Sequence, residues 1–184
     1  MKYFLGIILL LHFTTPAKTP KELFNNFHSI YAAADFKAMD SLLADDFVLY
    51  ERQIMTRKPA YISYLTGWNQ VFQTKWNVES VSISKDTITS IEYDSDIFND
   101  YFYGGKYLIR YTYLFKNNQL QSLVASSTDD GKKAEEIYAI RHALFYKWVA
   151  TYHADKTKFF NAYDKQSAQE IKMLLENYLK IIQQ

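Results

Sequence analysis

Residues 21–51, KELFNNFHSIYAAADFKAMDSLLADDFVLYE, decide the fold of this chain. Their apolar side chains recur every three to four positions at first, which predicts an amphipathic helix over residues 20–34. A short second helix over residues 36–43 follows a break at small residues. The Asp45-Asp46 pair then leads into a strand over residues 47–51. Helices that run directly into a strand indicate that they pack on a sheet.

The middle of the chain contains one more helix and a run of strands. A short strand over residues 52–56 and a helix over residues 58–72 come first. From residue 76 to residue 126 the apolar period changes from about 3.6 to about 2, which predicts strands. The turn signals Gly104-Gly105 and Asn117-Asn118 divide these strands.

This element order predicts an α+β fold, a cone-like curved antiparallel sheet packed on N-terminal helices. Thr19 and Asp35 are the expected N-caps of the two leading helices. The first helix is expected to face the strands with Phe24, Phe27 and Tyr31. Residues 129–184 contain two more amphipathic helices. This C-terminal helical extension either covers the cone or offers an apolar face to a partner.

The first 17 residues have the features of a secretory signal peptide. Lys2 precedes an apolar run over residues 4–13, and Thr15-Pro16-Ala17 supplies small residues for cleavage. The run is shorter than the roughly 20 apolar residues that span a bilayer, and an uncleaved anchor is the alternative. We therefore expect a signal peptide (1–17), a main domain (18–128) and the extension, with no membrane contact after cleavage.

Composition limits the classes of function. The chain has 184 residues, 48% hydrophobic and 22% charged, as expected of one globular domain. It has no Cys, which excludes disulfides, thiolate chemistry and a lipoprotein anchor, and export without disulfides suits a bacterial periplasm or secretion. Without Lys2 it has 20 basic and 20 acidic residues, so no nucleic-acid partner is expected. The four His have no ligand spacing, and we expect no metal and no cofactor.

Three segments resemble a known superfamily: AADFKAMDSLLADDFVLYE (33–51), TRKPAYISYLTGW (56–68) and YTYLFKNNQLQSLV (111–124). Over about residues 23–127 the chain resembles the nuclear transport factor 2-like superfamily, which includes SnoaL-like polyketide cyclases, ketosteroid isomerase and scytalone dehydratase. The resemblance implies the cone fold. It implies no single activity, because this fold hosts unrelated functions. Residues 135–184 lie outside the usual domain.

Glu51, His28 and Tyr111 are the candidate acid–base residues. The resemblance places Glu51 where ketosteroid isomerase keeps its general base. The oxyanion-binding Tyr of that family falls on Phe27, which cannot donate a hydrogen bond, and its protonated acid falls near Tyr111. His28 is an acid–base candidate if its helix edge faces the cone. The alternatives are an exposed Glu51 paired with a neighbouring Arg and a His28 that only flanks the apolar stripe.

Aromatic residues are the candidate walls of a pocket for a small apolar or aromatic ligand. The candidate ligand-binding residues are Tyr31, Tyr50, Tyr61, Tyr64, Trp68 and Tyr113, together with Tyr111. The alternative is a packed core without a cavity. Three acids alternate on one strand, and we expect them to face water or pair with neighbouring Lys and Arg rather than bind Ca²⁺: Glu92, Asp94 and Asp96.

Three interpretations of function remain. We favour an exported, non-catalytic protein that holds a small hydrophobic ligand or acts as an accessory interaction module. The first alternative is a cofactor-independent lyase, isomerase or cyclase of SnoaL-like type, in which Glu51 or His28 moves a proton and Tyr111 or Tyr50 stabilises an oxyanion. The second is a structural module that forms a homodimer through its sheet.

Overall fold

The computed structural model describes residues 18–183, which form helices packed on a sheet. The α-helices in this range are α1 (Pro20–Ala32), α2 (Phe36–Leu42), α3 (Lys58–Tyr64), α4 (Gln70–Phe72), α5 (Ile97–Phe102), α6 (Asp129–Tyr152) and α7 (Lys165–Ile182). The strands are β1 (Leu43–Glu51), β2 (Ile54–Arg57), β3 (Lys75–Ser84), β4 (Thr87–Ser95), β5 (Ile109–Lys116) and β6 (Gln119–Ser127). A π-helical segment (Leu65–Asn69) continues α3 into α4, and a 3₁₀ helix (Ala154–Asn161) separates α6 from α7. The predicted signal peptide, residues 1–17, lies outside the described residues.

The strands form a curved, open sheet in the order β2-β1-β6-β5-β4-β3. All neighbouring pairs are antiparallel except β1 and β6, which run parallel. The predicted α+β class is confirmed, and the sheet is mixed where we expected it to be antiparallel throughout. The reason is that β1 enters the sheet from α2 rather than from a hairpin, so no tight turn sets its direction relative to β6.

The leading helices begin where their caps predict. The Glu22 N–H donates to Thr19 Oγ1 at 3.3 Å and the Thr19 N–H donates to Glu22 Oε2 at 2.7 Å, which completes a capping box. Asp35 accepts a hydrogen bond from the Ala38 N–H at 3.0 Å and caps α2. Both predicted N-caps are therefore confirmed.

The first helix packs into the concave face of the sheet. Phe24 meets Tyr113 edge to face with ring centres 5.1 Å apart, and Phe27 and Tyr31 meet Trp76 at 5.3 and 4.9 Å. All three α1 aromatics are buried, as predicted. Burying each ring contributes roughly 1.5–3 kcal/mol, so this contact is a main source of stability for the cone.

Helix α5 was not predicted, because the sequence from Ile91 to Ile97 continues the alternation of a strand. The chain turns into a helix at Asp96, whose carboxylate accepts hydrogen bonds from Asn99 N and Asn99 Nδ2, both at 2.8 Å. A good N-cap thus ends β4 and starts α5 at the rim of the cone.

The C-terminal extension covers the open end of the cone. Phe145 of α6 and Leu175 of α7 have no exposed surface and belong to a second core with Trp68, Phe72 and Phe102 of the main domain. A Cβ at Gly67 would lie 3.0 Å from Lys165 N, so glycine permits α7 to begin directly against the π-helical segment. Of the two alternatives for the extension, the structure supports the one in which it covers the cone. Within residues 18–183, no helix has the length and apolarity needed to cross a bilayer.

Candidate functional site

A cavity of about 830 Å³ lies between the concave face of the sheet, the helical segment 58–72 (the α3 region) and the extension. This volume is in the range of small-molecule sites. Its lining includes Ile54 and Tyr163, which are 67% and 66% exposed and mark where the cavity reaches solvent. The alternative of a packed core without a cavity is therefore excluded for the described part of the chain.

The side chains of the last residues of β1 alternate between the cavity and the outer face of the sheet. Leu49 and Glu51 line the cavity. Tyr50 lies between them in sequence, points to the outer face because strand side chains alternate, and is 43% exposed. It pairs with Met55 and Val124 in the ladders of β2 and β6. Tyr50 thus does not line the cavity, contrary to our expectation.

The α3 region forms an aromatic wall of the cavity. Tyr61, Tyr64 and Trp68 line the cavity as expected, together with Asn69 at the end of the π-helical segment. Asn69 Nδ2 donates to the hydroxyl of Tyr31 at 2.6 Å, so Tyr31 contacts the wall from behind rather than lining the cavity itself. A π-helical turn adds one residue to the helix and is frequent at functional sites.

The extension closes the cavity with residues that sequence reasoning did not identify. Tyr138 and His142 of α6 and Phe160 of the 3₁₀ helix line it. Burial lowers the pKa of His142, so its imidazole is neutral at pH 7. Amphipathic spacing predicted the helices that carry these residues, but nothing local in the sequence indicates that they fold back over a sheet that ends near residue 127.

The cavity wall on β4 carries Asp94, which lies across from Trp76 of β3 in the strand register. Its Oδ1 is buried and has no hydrogen-bond partner among residues 18–183. Burial, together with the negative charges of Asp96, Glu92 and Glu51, raises the pKa of Asp94 to about 8. The Asp94 carboxyl is therefore mostly protonated at neutral pH and offers both a donor and an acceptor.

Glu51 shares the cavity with Asp94 and Tyr111. Burial raises the pKa of Glu51, Arg52 opposes this rise and Glu135 adds to it. The Arg52 guanidinium is itself engaged, since it donates to Glu135 Oε1 at 2.6 Å and to the Tyr107 hydroxyl at 2.7 Å. Glu51 is thus not held in an ion pair with its neighbouring Arg, which was the alternative to a cavity position.

A third carboxyl group, that of Glu92, lies away from the cavity and has no exposed surface. The Tyr113 hydroxyl donates to its two oxygens at 2.9 and 3.1 Å, and Ser90 Oγ donates to it as well. His28 Nε2 lies 3.6 Å from Glu92 Oε1 and 3.5 Å from the Tyr113 hydroxyl. We call Glu92, Ser90, Tyr113 and His28 the Glu92 cluster.

The candidate residues therefore fall into four places. Glu51, Tyr111, Tyr61, Tyr64 and Trp68 meet at the cavity. His28 and Tyr113 belong to the Glu92 cluster, so the structure separates His28 from Glu51. Tyr31 supports the cavity wall and Tyr50 lies on the outer face of the sheet. Sequence reasoning missed Asn69, Trp76 and Asp94.

The three alternating acids, two on β4 and one directly after it, take different structural roles from those expected. Glu92 is buried, Asp94 lines the cavity, and Asp96 caps α5 while accepting from Thr74 Oγ1 at 2.6 Å. None of the three is held by a Lys or Arg in the described ion pairs. Our expectation that these acids face water was wrong, because which face of a strand is buried depends on the elements that pack over it. Alternation of residues along the strand does not reveal this.

Comparison with known proteins identifies the fold. No protein-family model and no curated protein matches the sequence. A nuclear transport factor 2-like protein of unknown function from Cytophaga hutchinsonii is 13% identical, with a TM-score of 0.50, and the match covers 62% of this chain and 95% of that one. A proposed polyketide cyclase from Sinorhizobium meliloti is 13% identical, with a TM-score of 0.50, covering 57% of this chain and 94% of that one.

A third solved structure contains a ligand. It is a Mycobacterium tuberculosis protein in complex with estradiol-17β-hemisuccinate, 17% identical, with a TM-score of 0.50, and the match covers 61% of this chain and 97% of that one. These matches cover almost the whole of each neighbour. The chain therefore has the nuclear transport factor 2-like fold, as its sequence segments predicted.

Proposed function

We propose that this protein binds a small hydrophobic molecule in the cavity between the sheet, the α3 region and the extension. The observation that carries the proposal is a cavity of about 830 Å³ whose walls are aromatic yet hold unsatisfied polar atoms. Buried polar atoms without partners are rare in folded proteins because each costs free energy. A bound ligand would supply the missing partners.

Three features support ligand binding over simple structural packing. The Tyr61 hydroxyl, Asn69 Oδ1 and Trp76 Nε1 all lack partners among residues 18–183, and all three residues line the cavity. Flat aromatic walls suit a planar ligand. A neighbour with the same fold is described in complex with a steroid derivative, so this fold can hold a ligand of that size.

The proposal is tested by fluorescence titration with N-phenyl-1-naphthylamine, an uncharged apolar probe that brightens in apolar sites. Saturable binding at one site is expected. Ala162 lines the cavity, so Ala162→Trp should fill part of it and weaken binding at least tenfold. Ala150→Trp adds the same ring at an exposed position of α6 and should bind like the wild type. Absence of saturable binding, or equal binding by Ala162→Trp, would contradict the proposal.

Proton-transfer catalysis is the second candidate. The observation that favours it is that Glu51 and Asp94, two carboxyl groups with raised pKa values, share one cavity with Tyr111. A carboxylate base beside a protonated acid can remove a proton next to a carbonyl group and stabilise the enolate. His28 has no place in this scheme because it belongs to the Glu92 cluster.

If the protein catalyses proton transfer, it should exchange the α-protons of a bound ketone for deuterium. With 2-tetralone in deuterium oxide, the protein should accelerate loss of the α-proton signals in NMR spectra. Glu51→Gln should reduce this acceleration at least a hundredfold, since an amide is not a base, whereas Glu136→Gln on the exposed face of α6 should not. Exchange at the rate of buffer alone would leave ligand binding as the function.

A further inference from the structure

The described lining of the cavity has more carboxyl groups than cationic groups. Its charged and titratable lining within residues 18–183 consists of Glu51, Asp94, Asp164, Arg52 and His142, apart from its tyrosines. Arg52 is already bonded to Glu135, and burial keeps His142 neutral. Among residues 18–183, the lining therefore has carboxyl groups without a matching free cation.

Of the four unpartnered polar atoms in the described lining, Trp76 Nε1 is a donor and the other three can accept. Tyr61 is 3% exposed and Asn69 is 7% exposed, and both line the cavity. The Tyr61 hydroxyl, Asn69 Oδ1 and Asp94 Oδ1 lack partners in the described chain, and each oxygen can accept a hydrogen bond. An ammonium group carries three N–H donors and no acceptor.

The rings around Asp94 add a second attraction for positive charge. Trp76 lies across from Asp94 in the sheet, and its ring packs against Tyr111 with centres 5.2 Å apart and against Tyr31 at 4.9 Å. Burial raises the pKa of Tyr61, Tyr64 and Tyr111, and the carboxylate form of Asp94 raises each pKa further, which indicates that these side chains lie near it. Faces of Trp and Tyr attract cations.

We propose that the ligand is a protonated amine with an apolar or aromatic body, bound with its ammonium group at Asp94 and Glu51 and its body among the rings. This inference rests on the proposed binding function and specifies its ligand class. The apolar part replaces water along the aromatic walls. The ammonium group supplies a positive charge opposite the carboxyl groups and N–H donors for the unpartnered acceptors of the described lining.

Binding of such a ligand changes the protonation of the site. The titratable groups that act on Asp94 come from six elements: Tyr31 of α1, Glu51 of β1, Glu92 of β4, Asp96 at the start of α5, Tyr61 and Tyr64 of α3, and Tyr111 of β5. With its pKa at about 8, Asp94 holds a proton at pH 7 in the free protein. An ammonium group beside it favours the carboxylate, so the proton is released when the amine binds.

The test compares three molecules of one shape and different charge: 2-phenylethylamine, 2-phenylethanol and phenylacetate. Isothermal titration calorimetry at pH 7 should show the amine binding at least tenfold more tightly than the alcohol, and phenylacetate not binding. Proton release should make the amine's apparent enthalpy differ between phosphate and Tris buffers, and the alcohol's enthalpy should differ less. Equal or tighter binding of the alcohol or the acid would overturn the proposal.

Variants separate this inference from the binding function. Asp94→Asn should abolish the preference for the amine and its proton release while the alcohol still binds, whereas Asp155→Asn, an exposed charge change, should behave as wild type. If none of the three molecules binds but N-phenyl-1-naphthylamine does, the amine proposal is wrong and the binding function stands. If that uncharged probe also fails to bind, both proposals are wrong.

Discussion

Glu92 and Asp94 are two residues apart on β4, on the same face of the strand, and their surroundings are opposite. Glu92 has no exposed surface and accepts hydrogen bonds from Tyr113 and Ser90. Asp94 lines the cavity, and its Oδ1 has no partner in the described chain. One carboxyl group is hydrogen-bonded by the protein, and the other has an oxygen without a partner in the described chain.

The difference teaches where a buried acid stabilises the fold and where it costs free energy. A buried acceptor that has all its donors fixes the position of the groups around it, and its loss leaves those groups unpaired. A buried acid without partners destabilises the fold in its charged form and is a candidate for a functional role. The Glu92 cluster should therefore respond to mutation through stability, and Asp94 through binding and pH.

The largest effect is expected at Glu92. Glu92→Ala removes the acceptor of Tyr113 and Ser90 and leaves a void, so the free energy of unfolding should fall by about 3–5 kcal/mol. Urea denaturation followed by circular dichroism measures it. Glu92→Gln keeps the volume and one acceptor and should cost less. Glu136→Ala, at an exposed site on α6, should change stability by less than about 0.5 kcal/mol. A loss under 1 kcal/mol for Glu92→Ala would show that the cluster is not structural.

A matched pair of tyrosines sharpens the comparison. The Tyr113 hydroxyl is bonded to Glu92, whereas the Tyr61 hydroxyl has no partner in the described chain, and both rings are buried. Tyr113→Phe should therefore lower the free energy of unfolding by roughly 1.5–3 kcal/mol, and Tyr61→Phe should leave it unchanged or raise it.

Thermal and urea unfolding measure both effects, and the titrations described above separate them from binding. Tyr61→Phe should weaken amine binding, because it removes an acceptor from the cavity, while Tyr113→Phe should not. Equal stability losses for the two variants would mean that the Tyr61 hydroxyl has a partner and that the contrast between the two regions is false.

The parts of the fold that local sequence determines were predictable. Thr19 and Asp35 cap their helices as expected, and Asn117-Asn118 forms the two-residue turn with φ values of 52° and 61°. The parallel pairing of β1 with β6 and the helix after Asp96 were not predicted. Each depends on how distant segments pack, and apolar alternation carries no information about that.

The candidate site was predictable only where residues of α3, β1 and β5 face the cone. Tyr61, Glu51 and Tyr111 were placed in the cavity from the resemblance and the strand period. Asp94 was taken for a solvated acid because its strand alternates acidic and other residues. His142 was missed because apolar spacing predicted its helix but not how that helix packs over the sheet. The predicted export and homodimer stay predictions.

The smallest effect, and the most direct contrast with Glu92, is the pH dependence that Asp94 contributes. Its pKa is raised from 3.8 to about 8 in the folded chain. Between these values the folded state binds one more proton than the unfolded state, so the free energy of unfolding decreases as pH rises, by at most about 1.4 kcal/mol per pH unit. The contribution is fully favourable below the unfolded pKa and is lost as pH rises through about 8.

Asp94→Asn removes this titration, so its stability relative to wild type should increase between pH 5.5 and 6.5, by no more than about 1.4 kcal/mol. Urea denaturation at the two pH values measures the change. Asp155→Asn, which removes an exposed carboxylate, should follow the wild-type curve. If the difference between Asp94→Asn and wild type does not grow with pH, the protein itself satisfies Asp94. The contrast with Glu92 and the case for a ligand at the cavity wall would then both fail.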